Sequence, residues 1–158
     1  MTPVTPDALR QAMTRFPTAV TVVTALGPNG PAGATANAVA SLSLEPPMML
    51  AALDLGSRTL VAVEHARRFG INVLAGDQAG IARRFSTKDP HPEKWDGVEW
   101  SERCGVPRIE GSLIWVACDL VDAHEGGDHV IVTGRVTEVE AGEEEPLLFL
   151  DGDYRPVD

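Results

Sequence analysis

At 158 residues, with 44% apolar and 23% charged side chains, the chain has the length and composition of one globular domain spanning 1–158, and no apolar stretch is long enough to cross a bilayer. A formal net charge of −10 works against nucleic acid and membrane as partners, and the two cysteines, Cys104 and Cys118, have no histidine or cysteine at zinc-ligand spacing, so no metal is expected. The opening MTPVTPDALRQAM has neither the basic start nor the apolar core of a secretion signal, which predicts a cytoplasmic protein with reduced thiols.

Thr5-Pro6-Asp7 reads as a helix start, with a capping hydroxyl, proline at the first helical position and an acid in the first turn. Leu9, Met13 and Phe16 then share one helical face, and Phe16-Pro17 ends the element. The run TAVTVVTAL at 18–26 is rich in valine and threonine and predicts a strand. GPNGPAG at 27–33 predicts a turn, after which 34–44 resume as extended chain. MMLAALD at 48–54 is a further strand, and Ser57 is placed to cap a helix over 59–67. FGINVL at 69–74 predicts a strand, and Asp77 begins a short helix to about Arg84. Residues 86–108 are polar and rich in proline, glycine and charge, which predicts an irregular flap or contact surface. Two long strands, 112–124 and 129–140, are joined through Gly126-Gly127-Asp128 as a hairpin. LLFL after Pro146 is a last short strand, followed by an Asp-Gly turn and a tail. Strands outnumber helices and are mostly joined by short turns, so an antiparallel barrel or sandwich with a few peripheral helices is expected.

Several familiar chemistries are absent from the sequence. The glycines at 27–33 are spaced GxxGxxG, with prolines between them, and cannot open the helix that a dinucleotide fingerprint requires. There is no Walker loop, HExxH or GxSxG. The segment GATANAVASLSLEPP at 33–47 carries Thr35, Asn37, Ser41 and Ser43 at even spacings, which would put four small polar groups on one face of a strand. Such a face can cradle a polar ring edge and a phosphate, or it can simply be solvated.

FPTAVTVVTA followed by GATANAVASLSLEPP closely resembles the signature of the flavin reductase-like family. The similarity continues in order through FGINVL, ARRFS at 82–86, Gly105-Val106-Pro107, Gly127-Asp128-His129, GRV at 134–136 and PLLF at 146–149. The chain departs from the pattern at Ala38, where the family usually has serine. The resemblance implies a mainly β fold, an antiparallel six-stranded split β-barrel with a few peripheral helices, and a homodimer. It implies NADH- or NADPH-dependent reduction of FMN or FAD, with a partner flavin-dependent monooxygenase receiving the reduced flavin. By position, Thr35, Ala36, Asn37, Ser41, Leu42 and Ser43 would line the isoalloxazine and ribityl chain. Ser57, Arg58 and Thr59 would lie near the phosphate, where free N–H groups at a helix start favour an anion. Arg84, Phe85 and Ser86 would reach the phosphate or adenine end, although Phe85 could equally dock a helix end on the barrel. His129 would face the nicotinamide and position it. Two alternatives remain open at this level: an oxidoreductase of the same barrel family that holds FMN and acts on another substrate, and a non-catalytic flavin-binding redox protein.

Overall fold

The computed structural model describes residues 1–157, apart from the side chain of His91. In chain order the elements are α1 (Pro6–Met13), β1 (Thr18–Ala19), β2 (Thr21–Gly27), β3 (Gly30–Ala36), β4 (Val39–Leu44), β5 (Pro47–Asp54), α2 (Arg58–Ala66), β6 (Arg68–Val73), α3 (Ala79–Phe85), α4 (His91–Lys94), β7 (Trp100–Arg103), β8 (Val106–Ile109), β9 (Ile114–Gly126), β10 (His129–Ala141), β11 (Leu147–Leu150) and β12 (Asp153–Pro156). The main sheet runs β3-β2-β6-β9-β10-β5-β4, and every pairing in it is antiparallel. Its first six strands curl until β3 touches β5, with no ladder of hydrogen bonds between those two. This is the expected six-stranded split barrel. A seventh strand, β4, is added outside β5 as an edge.

Local chemistry accounts for most boundaries. Thr5 Oγ1 accepts the Ala8 N–H at 3.1 Å and Pro6 opens α1, as its sequence predicts. The apolar face of α1 is present but covers nothing in this chain: no residue of the helix is buried, and Leu9, Met13 and the following Phe16 stay exposed. The single strand expected over 18–26 is divided at Val20, because β1 pairs with β11 whereas β2 pairs with β3 and β6. The predicted turn at 27–33 contracts to Pro28-Asn29, with Gly30 at φ 121°. The segment 86–108, expected to be irregular, instead contains α4 and the β7–β8 hairpin. Its turn is Cys104-Gly105, both in the left-handed region (φ 55° and 74°), a weaker sequence signal than Asn-Gly. The expected tail is β12, returned on β11 through Asp151-Gly152 with φ 54° and 76°.

Inside the barrel lie Val23, Ala25, Phe69, Ile71, Val116, Cys118, Val130 and Val132, with Leu60 and Val63 of α2 plugging the interior. Burial pushes the Cys118 thiol up to about 12, so this cysteine is an apolar filler. Phe69 needs the absence of a side chain at Gly134, where a Cβ would sit 2.6 Å from the ring. On the other side of the same strands, Val20, Val22, Leu74, Phe85, Trp95, Ile109 and Leu147 form a second core. Residues Val20–Ala25 are therefore buried on both faces. One carboxamide joins the two layers. Asn72, fully buried, donates through Nδ2 to the Val22 carbonyl (3.1 Å) and to Thr24 Oγ1 (3.2 Å), and accepts the Ile109 N–H at 2.8 Å. Thr24 Oγ1 in turn donates to the Pro107 carbonyl at 2.7 Å.

Replacing Asn72 by alanine orphans the Ile109 N–H in a dry interior, and an unsatisfied buried polar group costs about 1–3 kcal/mol. Urea unfolding of Asn72→Ala should show a stability loss in that range; a midpoint unchanged from the parent would disprove the role of this side chain.

Candidate functional site

The barrel is open along the line where β3 and β5 face each other, and the chain crosses that line at Asn37-Ala38 between β3 and β4. The Ala38 carbonyl accepts the Ala52 N–H at 2.8 Å, which fastens the crossing to β5. A cavity of about 330 Å³ lies on one side, lined by residues 34–38, Ala52, Leu53, Asp54, Ser57 and His129. A second, of about 350 Å³, is lined by Phe16, Pro17, Thr18, Asn37, Ser41 and Met49 among others. Asn37 is exposed and belongs to both.

The hydrogen-bonding state of each side chain determines what it can offer. Thr35 Oγ1 donates to the Ala82 carbonyl at 2.7 Å, so toward a ligand it retains only its lone pairs. Ser57 is the N-cap of α2, accepting from the N–H groups of Thr59 (3.1 Å) and Leu60 (3.4 Å); its own proton is free to donate. Asn37 makes no hydrogen bond to the described residues and offers both a donor and an acceptor. Asp54 Oδ1 accepts the Gly56 N–H at 2.9 Å, which shapes the turn leading to Ser57.

His129 opens β10 opposite Asp54 of β5. Its Nδ1 lies 2.7 Å from Asp128 Oδ1, and that contact holds the Asp128 carboxyl below the usual carboxylate range. With Nδ1–H given to Asp128, a neutral imidazole presents Nε2 as an acceptor.

The fold thus brings together Thr35, Ala36, Asn37, Ser57 and His129, with Ser41 across Asn37. It does not make one polar face of 35–43. The strand is interrupted after Ala36, and a bulge at Leu42 shifts the pairing from Ser41↔Met49 to Ser43↔Met48. Leu42 is exposed, and neither it nor Ser43 lines the two cavities. Thr59 is fully buried and its hydroxyl has no partner, while Arg58 is exposed and lines a different cavity beyond the start of α2. Arg84 Nη1 donates to the Glu93 carbonyl at 3.0 Å, and Ser86 Oγ to the Arg83 carbonyl at 2.7 Å. Phe85 is buried against Trp95 with ring centroids 4.8 Å apart, so it docks the helix on the barrel. Asp54 is the carboxylate in the lining that the motif reading missed, beside apolar and threonine wall residues such as Leu53, Thr18 and Met49; its place at a strand end three residues before a cap was the available signal.

Residues 13–158 match the flavin reductase like domain. The chain belongs to that family. Family membership makes it an oxidoreductase. It is 38% identical over 157 residues to the flavin-dependent monooxygenase reductase subunit HsaB of Mycobacterium tuberculosis, covering 97% of this chain and 83% of that one. It is 35% identical over 158 residues to an NADH-dependent flavin reductase of a Rhodococcus species, covering 98% and 88% of the two chains. Among solved structures, the NADH:FAD oxidoreductase SgcE6 of Streptomyces globisporus superposes with a TM-score of 0.89 at 33% identity, covering all of this chain and 98% of that one.

In this flavin reductase-like chain, Asn37 is the side chain at the barrel opening free to bond a ligand on either side. Asn37→Ala should weaken flavin binding by about fivefold, the equivalent of one lost hydrogen bond, with thermal stability kept. Unaltered affinity in a fluorescence titration would remove Asn37 from the site.

Proposed function

We propose that the protein is an NADH-dependent flavin reductase that supplies reduced flavin to a partner flavin-dependent monooxygenase. The observation that carries this reading is the convergence, at the opening of the barrel, of Thr35, Asn37, Ser57 and His129, each with an unused lone pair or proton. Their chemistry fits a flavin. A ring edge with alternating donors and acceptors matches the Asn37 carboxamide and the Thr35 lone pairs, and an anionic tail matches the Ser57 proton and the Arg58 N–H, the first-turn amide of α2 that the cap leaves open. The names of its relatives favour NADH over NADPH and a monooxygenase as recipient.

A bound flavin would supply the hydride-accepting chemistry, with Thr35, Asn37 and Ser57 holding it. The residues of this chain then have a positioning task, which fits a site without cysteine or lysine. Asn37 fixes the ring edge from the crossing between strands. Ser57 fixes the ribityl-phosphate end. His129, steadied by Asp128, turns Nε2 toward the nucleotide and accepts from the carboxamide NH2. Mixing NADH and flavin with the purified protein tests the reading: rapid bleaching of the flavin absorbance is expected, and absence of bleaching with intact flavin binding would favour a non-catalytic flavin carrier.

The active form we propose is a homodimer. Leu9, Met13 and Phe16 present an uncovered apolar face, and Leu44, 86% exposed, lies on the edge strand β4. Phe16 also lines the second cavity, so an interface on this face would border the site.

Two outcomes follow. His129→Ala should raise the KM for NADH by about fivefold, with flavin affinity largely retained; a drop in melting temperature with normal nucleotide kinetics would instead mean that His129 only supports its turn. Light scattering at micromolar concentration should give twice 16.8 kDa, and the monomer mass would refute the dimer.

A further inference from the structure

Among the described residues, Asp54 is the carboxylate that lines the first cavity, and no lysine or arginine lines it. Leu53 and Val130 pack in the barrel interior, so their neighbours Asp54 and His129, paired across β5 and β10, face outward together at the barrel opening. Side chains paired in this way stand about 5 Å apart at Cβ. Two backbone hydrogen bonds fix the placement: the Leu55 N–H donates to the Asp128 carbonyl and the Ser57 N–H to the Asp54 carbonyl, both at 2.9 Å. Asp54 Oδ1 accepts the Gly56 N–H, and Oδ2 has no partner among the described residues. The turn accounts for an acceptor at this position but not for a charge, because an asparagine carbonyl would accept the same N–H. No described cation pairs with Asp54, and the second carboxylate beside His129, that of Asp128, adds to the negative charge there.

A carboxylate without a counter-ion at the wall of a recess favours a cation there and disfavours an anion. Of the groups that a flavin and a nicotinamide nucleotide bring, the phosphates are anions and the flavin ring carries no positive charge. The nicotinamide ring is neutral when reduced and a pyridinium cation when oxidised. Giving up a hydride, one hydrogen with its electron pair, produces that cation and places the matching negative charge on the acceptor. We propose that Asp54 is a specificity-determining residue of the nicotinamide subsite, its carboxylate favouring the oxidised ring over the reduced one. The inference rests on the reading of the chain as a flavin reductase with the nicotinamide beside His129. His129 holds the carboxamide through a neutral contact that is indifferent to the charge of the ring, whereas Asp54 responds to that charge. Because positive charge already builds on the ring as the hydride leaves, the same carboxylate favours its departure.

The test compares the binding of NAD+ with that of the tetrahydro analogue of NADH, whose ring is uncharged and gives up no hydride, by calorimetry on the flavin-loaded protein. Asp54→Asn keeps an acceptor for the Gly56 N–H. It should weaken NAD+ by about fivefold and leave the analogue nearly unchanged, with the melting temperature retained. Asp54→Glu keeps the charge and should keep most of the NAD+ affinity. Asp122→Asn removes a carboxylate on β9 that lines neither cavity and should leave both constants as they are, which separates a local charge from the net charge of −10. Equal weakening of the two ligands by Asp54→Asn, as a damaged turn would cause, would overturn the assignment. So would no weakening at all, or the same response to Asp122→Asn. These constants are measured without turnover, so flavin reduction combined with binding that ignores the ring charge would bring down this inference alone. Failure of the parent to bind or reduce flavin would bring down the proposed function, and this inference with it.

Discussion

Burial of β2 on both faces is the constraint from which the remaining architecture follows. Val22, Val23 and Ala25, like Val20 just before the strand, have no exposed surface, and the polar Thr21 and Thr24 are also buried. The barrel interior covers one face. The other must be covered by something outside the barrel, and that layer is drawn from the chain between β6 and β9 and from β11. A covering layer brings backbone groups into a dry region, where each needs a partner. The Asn72 carboxamide and the Thr24 hydroxyl meet that need for Val22, Pro107 and Ile109. Close approach then requires glycine: a Cβ on Gly70 would lie 2.6 Å from Thr24 Oγ1, and one on Gly33 2.9 Å from the Phe85 ring.

The covering layer also shapes the site. The hydroxyl of Thr35 is committed to α3 because that helix is packed against β3, and this commitment determines which half of its hydrogen-bonding capacity is left. The barrel is split where β3 and β5 meet without a ladder: β5 pairs onward with β4, and the outer edge of β3 takes no strand. A site that works by positioning a ligand needs steady donors and acceptors. The elements that supply them are anchored accordingly: Ser57 caps a helix plugged into the barrel, and His129 stands at the end of a long hairpin, held by Asp128.

Charge is distributed unevenly over this acidic chain. Arg103 and Arg108 are engaged with Glu138, Glu140 and Glu110, tying the β7–β8 hairpin to β10. Arg83 stacks over Tyr154, 5.5 Å from the ring centroid. Arg58, at the start of α2, and Lys94, in α4, form no ion pair with the described residues, and Asp89 offsets part of the repulsion that Arg58 exerts on Lys94.

The amino-acid sequence by itself determined the features governed by neighbouring residues. Valine and threonine runs made strands, Thr5 and Ser57 capped helices, and Gly127-Asp128 closed the long hairpin, because backbone propensity and short-range hydrogen bonds act within a few residues. The ordered motifs also identified the family, and with it the split barrel. Tertiary structure alone decided what depends on partners distant in the chain. It divided the first strand at Val20 between two sheets and turned a proline-rich segment into a hairpin pinned by Asn72. It broke the polar face of 35–43 with a crossing and a bulge, and it sent Phe85 into the second core. The alternating pattern that suggested one face for Thr35, Asn37, Ser41 and Ser43 assumes an unbroken strand. Closing a barrel requires its edge to bend, and only the packing of β3 against α3, and of β4 against β5, fixes where that bend falls.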